Sequence, residues 1–245
     1  MDKVVIVTGA SGGLGSAVAK RFGAAGAKVV IHYNRSAKDP ENTAKEINSS
    51  SGEAVTFQAD VRNFAQVKEM VDRTIARWSR IDVLVNAAGG PFGVWQPLYQ
   101  TDEELWDLVV DSNLKGTFNC IKAVLPQMIK QRDGHIINLS SGAALLGVKG
   151  RASYGAAKAG VLGLTKAVAM EVGEYNIKVN ALCPGLILHG RMLAKYPLDK
   201  QQAIKNENLL GRTGTPEEFA DFVFHLSTMK NISGQTINLD SRIVF

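Results

Sequence analysis

Short runs rich in valine, isoleucine and leucine recur along the chain at positions 3–8, 28–33, 54–60, 81–86, 135–140, 177–183 and 235–239, with helix-length segments between them. Two runs, Val4-Val5-Ile6-Val7 and Val29-Val30-Ile31, are apolar at every position. A strand with one face in water alternates apolar and polar residues, so an unbroken apolar run predicts a strand covered on both faces. Such strands, joined by segments long enough for right-handed helical crossovers, predict a parallel sheet. The expected fold class is α/β: a doubly wound, seven-stranded parallel sheet with helices on both faces, in one domain covering 1–245. Ligands of such sheets bind beyond the carboxyl ends of the strands, near the point where strand order reverses. The residues just after each run are therefore the ones to read for chemistry.

Composition narrows the classes. A chain of 245 residues with 45% hydrophobic content buries a sizeable core as one unit. The stretch Asn48-Ser49-Ser50-Ser51-Gly52 is short enough to be a turn and not a linker. The first apolar run starts at residue 3, which leaves no room for a secretory leader, and no apolar stretch approaches the roughly 20 residues of a membrane span. A soluble, cytoplasmic protein without a membrane partner is expected. Cys120 and Cys183 are far apart and fit neither a disulfide framework nor a metal-ligand set, so two buried reduced thiols and no metal are expected. The formal charge of +5 comes from scattered lysines and arginines, which argues against nucleic acid as a partner. A mild positive field suits a phosphorylated cofactor or an anionic acyl carrier, and solubility alone also accounts for it.

Thr8-Gly9-Ala10-Ser11-Gly12-Gly13-Leu14-Gly15 follows the first run and leads into a helix expected over 16–25. Glycines let the backbone turn sharply and approach a pyrophosphate, whose charge is met by amides at the helix N-terminus. The alternative is a glycine turn kept for packing. Later in the chain, Tyr154 and Lys158 lie four residues apart, and Ser141 lies thirteen before Tyr154. On a helix, four residues is about one turn, so phenol and ammonium project from one face. A free phenol has a pKa of about 10, and a fixed cation beside it stabilises the phenolate and brings that value toward neutrality. Lys158 is the candidate cation. Taken alone, the pair is also what chance gives in an alanine-rich helix.

The spacing of Gly9, Gly13 and Gly15, with Asn86-Ala87-Ala88-Gly89 after the fourth run and with Ser141, Tyr154 and Lys158, resembles the short-chain dehydrogenase/reductase family across essentially the whole chain. The resemblance takes in Asp60-Val61 after the third run, Asn113 before the fifth and Pro184-Gly185 after the sixth. It implies a Rossmann-type fold that binds a nicotinamide dinucleotide through Gly9, Ser11, Gly13, Leu14, Gly15, Asp60, Val61, Asn86, Ala88, Gly89, Tyr154, Lys158, Pro184, Gly185 and Ile187. It further implies that Tyr154 protonates a carbonyl oxygen as hydride reaches the carbon, and that Ser141 hydrogen-bonds the same oxygen. Lys158 would also hold the nicotinamide ribose, and Asn113 a water that relays protons to the lysine. For Asn113 the alternative is a kink residue bonded to its own backbone. Ser140 competes with Ser141, and the thirteen-residue spacing selects Ser141. Leu188 stands where many relatives carry a threonine that helps hold the carboxamide, so orientation there must rely on other groups.

The end of the second run decides the dinucleotide. An acidic residue there would accept from the ribose hydroxyls of NAD and repel the 2'-phosphate of NADP. This chain has Tyr33 followed by Asn34-Arg35-Ser36, and a guanidinium fork suits a phosphate. NADP(H) is therefore expected, with NAD(H) as the second possibility. The alternative for Arg35 is a solvated loop arginine, and Gly12 stands where many NADP-preferring relatives have a basic residue.

For the substrate, the resemblance points to segments 90–95, 142–150 and 186–212. Their aromatic and apolar content suits a partly hydrophobic carbonyl compound. Arg191, Lys195, Lys200 and Lys205 give the last segment a basic tilt compatible with a thioester, and His189 is a candidate pocket residue. The nearest members are 3-oxoacyl-(acyl-carrier-protein) reductases, which dock the carrier on two basic positions. Arg132 matches one, whereas Tyr175 stands at the other near Glu171 and Glu174. A polyol, sugar or general alcohol dehydrogenase is the alternative. A non-catalytic dinucleotide-binding regulator is the alternative from another class, and the presence of Asn113, Ser141, Tyr154 and Lys158 argues for an enzyme. His32, His135 and His225 read as structural or exposed. Relatives assemble as homotetramers through two long helices, here 101–131 and 153–173, and the last strand. The apolar end Ile243-Val244-Phe245 is expected at a subunit interface.

Overall fold

The computed structural model describes residues 2–35, 37–90, 95–188 and 196–242. The readings that involve Ser36, residues 91–94, His189, Arg191, Lys195 and the end Ile243-Val244-Phe245 lie outside the described residues. Seven parallel strands form one sheet in the order β3-β2-β1-β4-β5-β6-β7. They are β1 (Val4–Thr8), β2 (Lys28–Tyr33), β3 (Glu53–Gln58), β4 (Val83–Asn86), β5 (Gly134–Leu139), β6 (Ile177–Pro184) and β7 (Thr236–Leu239). Each matches its apolar run to within two residues.

The alternation of side chains along each strand builds two cores. Val5 and Val7 of β1, with Val29 and Ile31 of β2, point to one face. There they meet Val18, Ala19 and Phe22 of α1 (Gly13–Ala24), Ile47 of α2 (Lys38–Asn48), and Phe219 and Val223 of a helix over Pro216–Leu226. Ile6 and Val30 point to the other face. They pack with Val67 and Met70 of α3 (Phe64–Trp78), with Val124 and Met128 of a helix over Gly116–Gln131, and with Val168 of a helix over Ala152–Val172. Every residue of β1 is buried, as its unbroken apolar run requires. Cys120 and Cys183 are buried free thiols, and burial pushes Cys120 up to about 12.

The helix expected over 101–131 is α4 (Glu103–Val110), a π-helical turn over Asp111–Lys115, and α5 (Gly116–Gln131). A π turn inserts one residue and rotates the rest of the helix about its axis, and here it holds Asn113. Past β5 come the short α6 (Ala143–Leu146) and α7 (Ala152–Val172). α8 (Leu198–Asn206) and α9 (Pro216–Leu226) precede β7. The N-termini of α3 and α9 are closed by their own side chains, Asn63 on the amides of Ala65 and Gln66, and Thr215 in a reciprocal capping box with Glu218. α1 carries no such cap.

His32 and His135 are buried, and desolvation holds each ring neutral with a pKa of about 4 against an ordinary 6.5. Between those values the unfolded chain binds protons that the folded chain refuses, so stability rises with pH across that window. The unfolding free energy should fall as pH drops from 6.5 to 4, by on the order of 3 kcal/mol per ring. Urea unfolding at stepped pH measures it. His135→Leu should roughly halve the slope, and a flat profile in the parent protein would refute the assignment.

Candidate active site

Strand order reverses between β1 and β4, so the crevice lies where Thr8 and Asn86 end paired strands. The Thr8 hydroxyl accepts from the Ala88 amide at 3.0 Å and joins the two turns. Gly9 has φ +68°, and a Cβ there would stand 2.6 Å from Ala88 Cα. A Cβ on Gly15 would stand 2.5 Å from the Gly9 carbonyl oxygen. Only bare backbone fits, and α1 starts directly behind it with no side-chain cap and no acidic residue in its first turn. Its leading amides thus suit an anion, and the cradle fits the phosphates of a dinucleotide. Ser11 and Gly13 belong to this turn, while the Leu14 side chain packs on the core.

At the sheet's β2–β3 side, Asn34 and Arg35 are exposed beyond β2, and Arg35 has no ion-pair partner among the described residues. Val61 is buried and its carbonyl accepts from Asn119 at 2.8 Å. The Asp60 carboxylate is gripped by the Arg62 guanidinium at 2.6 to 3.0 Å, which holds it below the usual carboxylate range. Residue spacing alone does not predict this pairing.

The chemistry-bearing side chains gather beyond β4 and β5. The Ser141 hydroxyl accepts from the Ala143 amide at 3.2 Å and is close enough to the Tyr154 phenol to favour its ionised form. Tyr154 and Lys158 are both buried on α7, with Lys158 Nζ 5.8 Å from the Tyr154 ring centre and donating to the Leu139 carbonyl at 2.9 Å. Ser140 instead donates to the Lys158 carbonyl at 2.8 Å. Asn113 Nδ2 donates to the Val109 carbonyl at 2.9 Å, so the backbone-bonded alternative describes that atom. Its Oδ1 lies toward the turn after β4: a Cβ on Gly89 would lie 2.8 Å from Asn113 Oδ1 and 3.9 Å from Lys158 Nζ. Asn86 is buried and donates to Asn138 Oδ1 at 2.9 Å. Gly185 leaves β6 against the Asp240 carboxylate, where a Cβ would approach within 2.7 Å, and the Ile187 side chain is buried in the core. The Ile187 backbone is what remains for a ligand. A cavity of about 230 Å³ beyond Gly185 is walled by Leu186, Ile187, Asn208 and Phe219, without Ser141, Tyr154 or Lys158.

Burial raises the Tyr154 pKa, and the groups that oppose this are Ser141 and the Arg151 guanidinium, three residues earlier at the start of the same helix. Burial lowers Lys158 to about 8. The Lys158 ammonium donates to the Leu139 carbonyl and lies over the Tyr154 ring, 5.8 Å from its centre. Arg151 itself stacks over the Trp95 ring, 4.4 Å from its centre. An arginine at i−3 from the tyrosine was the available signal for it.

The profile of the short chain dehydrogenase family matches residues 3–201. A 3-oxoacyl-[acyl-carrier-protein] reductase of Synechocystis sp. is 40% identical, with 99% of this chain and 97% of that protein covered. The corresponding FabG protein of Thermotoga maritima is 38% identical over 99% of this chain and 98% of its own. Among solved structures, an actinorhodin polyketide ketoreductase variant crystallised with NADPH superposes with a TM-score of 0.88 at 30% identity, covering 98% of this chain and 96% of its own.

The contact of Gly9 with Ala88 sets a simple test. Gly9→Ala should destabilise the fold by ~1–3 kcal/mol, through its positive φ and the backbone it meets. Denaturant unfolding reads this, and unchanged stability would show that the two turns are not in contact.

Proposed function

Since the chain belongs to the short-chain dehydrogenase family, we propose that it is an NADP(H)-dependent oxidoreductase interconverting a carbonyl and a secondary alcohol, with a 3-oxoacyl thioester or related ketone as substrate. The observation that carries this reading is the Ser141–Tyr154 hydroxyl pair at the mouth of the crevice, with Lys158 and Asn113 behind it. The uncapped start of α1, with Gly9, Ser11, Gly13, Leu14 and Gly15, would hold the pyrophosphate. Asp60 and Val61 would meet the adenine, and Asn34, Arg35 and Ser36 the 2'-phosphate. Asn86, Ala88, Gly89, Pro184, Gly185 and Ile187, with Tyr154 and Lys158, would receive the nicotinamide end. When bound, the reduced dinucleotide supplies a hydride to the carbonyl carbon.

The chain's own residues manage the proton. Burial keeps the Tyr154 phenol protonated at neutral pH, so it is a donor in place when charge develops on the substrate oxygen. Ser141 offers that oxygen a second donor, already oriented by its contact with Tyr154. Lys158, at about 8, is mostly an ammonium at pH 7 and gives up a proton readily. Asn113 Oδ1 lies on the same side of Gly89 and suits a water that resupplies it.

A second reading rests on Arg132. Its guanidinium stacks over Tyr175, 5.7 Å from the ring centre, and donates to the Glu174 carbonyl at 2.9 Å. An arginine engaged in this way, beside acidic residues, favours a free thioester or small carbonyl compound over one presented by an acidic carrier. NADPH oxidation, followed by absorbance with carrier-bound 3-oxoacyl groups, their coenzyme A counterparts and small ketones, separates the two. A cytoplasmic homotetramer completes the proposal. Phe118 on α5 and Met170 on α7 are exposed apolar residues on the helices that would pair, and no described helix is long and apolar enough to cross a membrane.

Tyr154→Phe should abolish turnover while leaving NADPH affinity nearly intact, and retained turnover would remove the mechanism. Arg35→Asp should weaken NADPH binding about ten- to a hundredfold, the loss of one charge-assisted contact, and so invert the preference toward NADH. An unchanged NADPH-to-NADH ratio of kcat/KM would refute the cofactor assignment.

A further inference from the structure

His32 lies on β2 with 2% of its surface exposed, and both ring nitrogens are engaged. Nδ1 is 3.0 Å from the Gly9 amide nitrogen, and Nε2 is 2.9 Å from the Ala59 carbonyl oxygen. A backbone N–H can only donate and a carbonyl can only accept. One tautomer satisfies both contacts: Nδ1 bare, Nε2 carrying the hydrogen. Gly9 is the first residue after β1 and Ala59 the first after β3, so a single ring ties together the carboxyl ends of the three strands on this side of the sheet. Backbone bonds run the same way, from the Ala10 amide to the His32 carbonyl at 2.9 Å and from the Ala59 amide to the Tyr33 carbonyl at 2.9 Å.

The proposed dinucleotide site begins at these two tied residues. Beyond Gly9 come Ser11, Gly13 and Gly15, and beyond Ala59 come Asp60 and Val61. We propose that His32 is a positioning residue for the dinucleotide, fixing the glycine turn and the adenine-side turn at one separation without touching the ligand. The inference rests on the dinucleotide reading above. A rigid spacer matters because the phosphates and the adenine belong to one molecule. If the two turns drift, one set of contacts is lost whenever the other is made. The β2–β3 pairing ends at Tyr33 and Gln58, so His32 lies where the sheet stops enforcing the spacing. The charge that faces the ring comes from Asp60, itself held by Arg62, and the turn from Thr8 to Gly15 brings none. The ring therefore works as a neutral spacer with one donor and one acceptor.

Two substitutions and one spectrum test this. Asparagine places its Oδ1 near the position of Nδ1, so His32→Asn keeps an acceptor for Gly9 and loses the Ala59 bond, whereas His32→Leu loses both. Nitrogen-15 spectra of the histidine side chains in the parent protein should show the His32 Nε2–H tautomer. Fluorescence titration with NADPH should give a Kd raised roughly tenfold in His32→Asn, for one lost buried hydrogen bond, and at least as much in His32→Leu, which loses both. The kcat at saturating NADPH should stay within about twofold in both, which a general loosening of the fold would not allow. An Nδ1–H tautomer, an unchanged Kd in His32→Leu, or a fall in kcat matching the rise in Kd would overturn the proposal. If His32→Leu does not fold, the tautomer and the His32→Asn titration decide. A parent protein that binds neither NADPH nor NADH would overturn the dinucleotide reading itself, and this inference with it.

Discussion

The turn after β4 is pressed from two sides, by the backbone of the glycine turn and by the side chains of Ser112 and Asn113, and the site depends on that contact. Gly9 meets Ala88 on one side, while Gly89 and Gly90 lie against Asn113 and Ser112 on the other, where a Cβ at Gly90 would come within 2.3 Å of the serine. A Cβ on Gly9, Gly89 or Gly90 would not fit, so the three turns are held at close distance. That distance aligns the anion-ready start of α1 with the π turn that carries Asn113 and, through Gly89, with Lys158. Parallel sheets leave a crevice at their switch point by topology alone. Here the glycines at 9, 89 and 90 fix how narrow it is.

Burial sets the electrical state of the groups lining that crevice. Two groups that would ionise near 10 in water respond in opposite senses: the phenol of Tyr154 rises and the amine of Lys158 falls to about 8. Both shifts penalise the charged form, so the resting pair holds a protonated phenol beside an amine that exchanges its proton easily. The favourable field at the phenol comes from Ser141 and Arg151. Arg151 stands just outside the start of α7, and its stacking on Trp95 keeps it there against the pull of solvent.

How much of this was legible depends on whether the cause is local. The strands could be read because burial on both faces demands unbroken apolar runs, and Val4-Val5-Ile6-Val7 supplies one. The relation of Gly9 to Gly15 could be read from spacing within one turn and that of Tyr154 to Lys158 from spacing on one helix, whereas Ser141 could be picked out only by the family resemblance. The π turn could not, since one inserted residue leaves no period of its own in the sequence. Nor could the His32 bridge, which joins residues 23 and 27 positions away across three strands. The Arg62 grip on Asp60 escaped for a different reason: the pair is two residues apart, and only the turn geometry decides whether the side chains meet. The Lys158 ammonium could be placed on the right face of α7, yet its partner, the Leu139 carbonyl, is a backbone atom that no side-chain pattern reports.

The same reasoning extends to the segment after β6. Gly185 is fixed by its bond to the Leu239 carbonyl and by the Asp240 carboxylate packed on its Cα. Some twenty residues later, Asn208 is buried and bonded to the Ser241 hydroxyl at 2.8 Å, and the Leu209 amide donates to the Ser241 carbonyl at 3.1 Å. Arg242, doubly bonded to Asp240, reaches toward Glu207 at 3.8 Å and lies 3.9 Å from where a Gly142 Cβ would stand, beside Ser141. Asp240, Ser241 and Arg242, directly after β7, thus hold both ends of the segment between Gly185 and Asn208 and touch the catalytic turn as well. In the proposed function, the sheet and its turns carry the reaction, and the segment whose flanks Asp240, Ser241 and Arg242 hold carries specificity.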